Sequence, residues 1–269
     1  MSSSPHPVAK SRLRLSQVLQ QAGSLVSVGD VSQTLRIERQ AAAQLLARWH
    51  AQGWLKRLRQ GVYAPVPLTA LGQEQVLEDP WVIVPELFAP AYIGGWSAAE
   101  HWGLTEQVFR RVCVITTRPV RGKEQTFQGI TFLLKHVKPA ALFGTKGVWR
   151  GSVKVDVSDP AKTIIDMLDD PALGGGIRQV NDCLVTFLND AETSPQHLIT
   201  TADRLGNGAV FKRLGFLLER HGGPADLIAA CRERLTAGQA KLDPALPCRP
   251  LVTRWRLRVP AGWAKGAPR

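Results

Sequence analysis

The sequence predicts an α+β protein: an N-terminal winged helix-turn-helix, then a mixed α/β domain with strands first and helices after. Three observations predict it. Residues 38–65, ERQAAAQLLARWHAQGWLKRLRQGVYAP, pass from an amphipathic helical pattern through a glycine into two short, basic, aromatic runs. Runs rich in β-branched and aromatic residues fall between residues 108 and 157, and helical periodicity follows from residue 159 to residue 235. The formal charge of +12 over 269 residues is concentrated at the two ends of the chain.

Residues 13–20 form a first predicted helix with Leu15, Val18 and Leu19 inward, and residues 30–35 a second, with a turn at Arg36 and Ile37. Glu38 then stands at the N-cap position of a third helix. In that helix Ala42, Leu45, Leu46 and Trp49 recur at three- and four-residue steps and share one stripe, while Arg39, Gln40, Gln44 and Arg48 fall elsewhere. Gly53 suits a left-handed stop, and residues 54–58 and 62–64 read as strands around the turn Arg59-Gln60-Gly61. Three helices and a basic hairpin make the order of a winged helix, whose last helix enters the DNA major groove N-terminus first. On that reading Arg39, Gln40 and Gln44 contact base edges, and Arg36, Arg48, Lys56, Arg57 and Arg59 grip phosphates. The plainer alternative, ordinary solvated charges on a small helical domain, explains the stripe but not the ordered combination.

Charge points the same way. Residues 1–67 hold nine Lys or Arg against two acidic residues, a surplus of +7, and residues 232–269 hold another nine against two. The middle is left at −2, so nucleic-acid contact is expected of the ends and another task of the middle. We therefore divide the chain into a DNA-binding domain at 1–67, a Pro- and Gly-punctuated linker at 68–80, an α+β domain at 81–235 and a basic extension at 236–269. In the extension, the run RWRLR at 254–258 reads as an extended segment with its arginines on one side.

In the second domain, Ser97 is expected to cap a short helix over 98–102 that ends at Gly103. Strands are expected at 108–117, 129–136, 148–149 and 153–157. Asp159-Pro160 opens a helix carrying Ile164, Ile165 and Leu168. Gly174-Gly175-Gly176 is a loop, and further helices cover 180–188, 195–205, 209–220 and 224–235. The four cysteines form no C-x-x-C pair, no apolar segment follows the first seven residues, and residues 81–96 are too short and interrupted to span a bilayer. The expectation is a cytoplasmic protein with free thiols and no membrane contact.

Three stretches, YIGGWSAAEHWGL at 92–104, VSDPAKTIIDML at 157–168 and NGAVFKRLGFLLE at 207–219, resemble blocks of the AbiEi family, the antitoxins of AbiE phage-defence loci. The resemblance runs over residues 11–223, and Lys212-Arg213-Leu214-Gly215 is its most specific part. It implies a regulator that represses its own operon through operator DNA and neutralises a co-encoded nucleotidyltransferase-like toxin without a stable complex. It also places antitoxicity on Lys212 and Arg213. The residues themselves leave these two either on a solvated basic face or at a partner contact.

Nothing in the sequence reads as catalytic. Ser97, Glu100 and His101 are explained by a helix cap and a packed histidine. Asp156, Asp159 and Asp166 lack the partners of a metal site, and no G-K-[ST] follows the triglycine. We expect neither enzyme activity, cofactor nor metal. A winged-helix transcription factor with a ligand- or protein-sensing second domain and no toxin partner is the alternative. A monomer in solution with two copies on DNA is the expected state.

Overall fold

The computed structural model describes residues 7–22, 25–66, 79–120, 122–127 and 129–264. Most of the expected linker, residues 68–78 of 68–80, lies outside them, as do residues 1–6 and 265–269 and the side chain of Arg59.

The chain begins with α1 (Pro7–Ala22), β1 (Val26–Ser27), α2 (Val28–Leu35), α3 (Arg39–Ala51), β2 (Leu55–Arg59) and β3 (Val62–Pro65). Ser27 and Asp30 close a capping box on α2: the Asp30 N–H donates to Ser27 Oγ, and the Ser27 N–H returns a bond to Asp30 Oδ2 at 2.8 Å. Arg36 ends α2 in the left-handed region at φ 51°, and the Ser32 hydroxyl donates to the Ile37 carbonyl, which fixes the turn into α3. Glu38 holds the N-cap position of α3 without a side-chain bond. The two-residue β1, which alternation could not reveal, pairs antiparallel with β3 and gives the sheet order β1-β3-β2. Leu15, Val18, Val31, Leu46 and Trp49 fill the space between helices and sheet.

From Asp79 a 3-10 turn (Pro80–Ile83) leads into α4 (Val84–Phe88), β4 (Ala91–Ile93), α5 (Gly95–His101), β5 (Arg111–Thr116), β6 (Glu124–Phe127), β7 (Ile130–His136), β8 (Thr145–Arg150) and β9 (Val153–Ser158). They form one mixed sheet in the order β6-β7-β5-β4-β9-β8. β4 is central, yet its three residues between Pro90 and Gly94 are too few to show periodicity and carry no strand signal in the sequence. Nor does β6 carry one, its pattern being polar and half exposed. One face of the sheet carries Val112, Val114, Phe132, Val155 and Val157 against α4, and Leu25 and Leu58 of the first domain pack onto this same cluster.

The helices α6 (Pro160–Asp169), α7 (Ile177–Asn189), α8 (Gln196–Leu205), α9 (Gly208–Arg220) and α10 (Ala225–Glu233) follow, with α6 at their centre: Ala161 through Leu168 are all buried. Asp159 caps α6 by accepting the Lys162 N–H at 2.8 Å. The chain closes with β10 (Ala240–Lys241), β11 (Leu251–Val252), β12 (Leu257–Arg258) and α11 (Ala261–Ala264).

Two expectations fail here. Ser97 is not a cap: α5 starts at Gly95, three residues before the expected Ala98, and Gly95 takes φ +53° where a Cβ would stand 2.3 Å from the Leu173 carbonyl oxygen. The Ser97 hydroxyl instead accepts the Cys113 N–H at 2.9 Å and ties α5 to β5. Nor is 254–258 one extended segment. A 3-10 turn (Thr253–Trp255) and a left-handed Arg256 break it, so Trp255 and Leu257 are both inward by turning rather than by alternation.

Candidate nucleic-acid interface and the buried centre of the second domain

The stripe that buries Ala42, Leu45, Leu46 and Trp49 leaves the opposite side of α3 to solvent, and Arg39, Gln40, Gln44 and Arg48 are exposed there. Gln40, Gln44 and Arg48 stand at four-residue steps on one line, with exposed Arg36 just before the helix and Arg39 at its first position. Exposed Lys56 and Arg57 extend the basic surface onto β2. Among the described residues no ion pair or hydrogen bond engages the side chains of Arg36, Arg39, Arg48, Lys56 or Arg57. Elsewhere arginines are spent on carboxylates, as in Arg111 with Glu124 at 2.6 Å and Arg254 with Glu219 at 2.7 Å. Three unspent cations on or beside the exposed face of α3, and two more on β2, are what phosphate neutralisation requires.

α3 is held by contacts that leave this face untouched. Trp49 Nε1 donates to Ser11 Oγ at 2.9 Å, and His50 Nδ1 lies 3.0 Å from the Leu55 carbonyl. Arg12, within α1, stacks over Trp54 at 5.4 Å.

The part of the chain after residue 79 is organised around buried ionic groups. Lys212 and Arg213 do not form a solvated basic face: they are only 2 % and 5 % exposed. Arg213 Nη1 donates to the carbonyls of Leu168 and Asp169 at 2.6 and 3.0 Å, and its Nε donates to the Lys241 carbonyl at 2.9 Å. One guanidinium thus satisfies the last carbonyls of α6, where the helix dipole is negative, and binds β10 as well. Lys212 donates to the Gly238 carbonyl. Burial pulls both below their ordinary values, for Lys212 with Arg256 adding repulsion. Gly215, one turn on, admits the Trp255 ring: a Cβ there would come within 2.1 Å of it. The whole Lys212 to Gly215 block faces inward because the C-terminal segment lies across α9, which periodicity within α9 alone could not disclose.

Beneath it, Lys162 and Asp166 pair across one turn of α6, and the Tyr92 hydroxyl, 2.8 Å from each, donates to Asp166 Oδ2 and accepts from Lys162 Nζ. Burial raises Asp166 above the usual carboxylate range against the pull of Lys162, and burial followed by Asp166 raises Tyr92. Lys162 also lies over the rings of Tyr92 and Phe143. None of the three is a surface group. Asp159 and Asp166 are thereby committed to a cap and an ion pair, and Asp156 is exposed on β9. All four cysteines are free and buried.

The comparisons with known proteins now bear on this geometry. Residues 14–66 match the family described as transcriptional regulator, AbiEi antitoxin. The AbiEi match takes in most of α1 and every element through β3, and therefore the whole exposed face of α3. A solved structure, that of the RV2827C protein from Mycobacterium tuberculosis, superposes with a TM-score of 0.60 at 17 % identity, over 96 % of this chain and 93 % of that one. At that identity the likeness is one of fold, and it extends far beyond the AbiEi-matched segment. No curated protein matches the chain. Among the described residues no helix is long and apolar enough to cross a membrane.

Proposed function

We propose that the chain is a DNA-binding antitoxin whose N-terminal domain is a winged helix-turn-helix that represses its own operon promoter, and whose second domain neutralises a co-encoded nucleotidyltransferase-like toxin without a stable complex. The observation that carries this reading is the exposed, unpaired face of α3, lying wholly within the AbiEi-matched residues. The order α1-β1-α2-α3-β2-β3, with a turn at Arg36 and Ile37 and a basic hairpin after α3, supports the winged-helix assignment. In this reading Arg39, Gln40 and Gln44 contact base edges, while Arg36, Arg48, Lys56, Arg57 and Arg59 contact phosphates. Two copies bind one operator, since a single recognition helix offers few base contacts.

Lys212 and Arg213 enter antitoxicity as struts that hold α6, α9 and the C-terminal segment together, not as a docking face. The test is a pair of assays on purified and expressed protein. Titration against a duplex carrying the promoter upstream of its own gene, beside a scrambled duplex, measures repression's binding step. Growth of cells expressing the neighbouring toxin measures neutralisation. Equal affinity for both duplexes, together with no protection, would overturn the reading.

A further inference from the structure

A second site lies on the second domain, away from α3. Between α5, the start of β5 and the 3-10 turn after Asp79 is a cleft of about 460 Å³, within the range of small-ligand sites. Its walls are aromatic and its cations are only partly spent. Arg150 lies 4.5 Å over the Trp81 ring, and Trp81 meets His101 edge-on at 5.5 Å. Across the cleft, Phe109 stacks on Trp96 at 5.1 Å with the ring planes 17° apart.

The polar groups are unequal. Arg111 is neutralised by Glu124. Arg110 is exposed, and among the described residues nothing pairs with it. Arg150 is more telling: it forms a long ion pair with Asp79, Nε to Oδ2 at 3.7 Å, and its buried Nε makes no hydrogen bond. A buried guanidinium N–H without a hydrogen bond costs stability unless something supplies an acceptor. Glu100, exposed at the rim, repels a second phosphate but accepts from hydroxyl or amino groups.

We propose that this cleft binds one nucleotide unit, its base against Trp81 and Phe109, its single phosphate on Arg110 and Arg150, and its sugar hydroxyls or exocyclic amine on Glu100. Planar aromatic walls fit a base, two guanidinium groups fit one phosphate, and the carboxylate opposes a longer polyphosphate. His101 adds a ring nitrogen rather than a charge, because burial and then Arg150 hold it below its ordinary value. The same chemistry is offered by a free mononucleotide and by the terminal nucleotide of a single strand.

The full-length protein is titrated with AMP, GMP, CMP and UMP, with the matching nucleosides, with inorganic phosphate and with a short oligonucleotide, followed by tryptophan fluorescence and calorimetry. A mononucleotide should bind at least about tenfold more tightly than its nucleoside and than phosphate, as expected for one charge-assisted contact. R110A should weaken it about tenfold or more, with R150Q acting in the same direction and R178A, an exposed arginine of α7, leaving it unchanged. Arg110 has no partner among the described residues, so R110A leaves the fold intact and a circular-dichroism melt verifies this. Tighter binding of the oligonucleotide that R110A weakens assigns the site to a strand end, and oligonucleotide binding that R110A leaves unchanged, beside mononucleotide binding that it weakens, assigns it to the free nucleotide. No saturable binding, binding unaffected by R110A, or phosphate binding as well as the nucleotide would each overturn the proposal.

Discussion

Lys162 and Asp166 concentrate the energetics of the second domain in one buried pair. Removing one partner from a buried ion pair strands the other charge, at a cost of about 3–5 kcal/mol, whereas replacing both with apolar groups avoids that penalty. Asp166→Ala should therefore lower the unfolding free energy by about that amount, and the double variant Lys162→Met with Asp166→Leu should recover much of it. Denaturant melts of the native protein and the two variants check this; a double variant as unstable as Asp166→Ala would contradict it. Glu219 supplies the pH dependence. Burial pushes its carboxyl up, but hydrogen bonds from Trp255, Arg254 and Arg232 outweigh burial and hold it below its ordinary 4.5. A depressed carboxylate contributes stability that is present above 4.5 and is lost as pH falls through the lower folded value. Between about pH 6 and about pH 3 the melting temperature of the native protein should thus fall further than that of Glu219→Gln.

At the scale of elements, α3 and the β2-β3 hairpin differ in what their charges are for. Bidentate base contacts discriminate by about 1–3 kcal/mol each, while a phosphate contact changes the salt slope by about 0.9 and carries no sequence information. Arg39→Ala should therefore relax preference at one operator position, and Arg57→Ala should weaken binding to every duplex and flatten the salt dependence. Titrations at several salt concentrations separate the two; identical behaviour would remove the division of roles. α9 is the opposite case, an element whose polar residues are internal. Gly215→Ala would drive a methyl into the Trp255 ring. Overpacking of this kind costs about 1–3 kcal/mol, measurable as a lower denaturation midpoint with DNA binding retained.

For the whole molecule, the C-terminal segment belongs to the core it lies on. Leu242, Val252, Trp255, Leu257 and Val259 share one buried cluster with α6, α7 and α9. Deleting residues 251–269 should consequently unfold the second domain rather than merely trim a basic surface. It should expose apolar area and abolish protection from toxin, which dye binding, proteolysis and the growth assay would register. The elements α1 to β3 bury a cluster of their own, but Leu25 and Leu58 pack on the six-stranded sheet. A fragment of residues 1–72 should bind operator DNA more weakly than the whole chain, since β2 loses the support that Leu58 gives it.

The sequence by itself determined the helices and strands with strong periodicity, the glycine stops at Gly53 and Gly103, the Asp159 cap and the outward residues of α3. Each follows from residues within one or two turns, so local pattern suffices. It also marked the Lys212 to Gly215 block as special through resemblance, without saying why. Only the tertiary structure decided that these charges are buried, that Ser97 serves β5 rather than its own helix, and that Tyr92 joins Lys162 and Asp166. The physical reason is that burial of a polar group depends on what a distant segment lays over it. For Arg213 that segment is β10, 28 residues further along, whose carbonyl accepts the guanidinium that would otherwise face water.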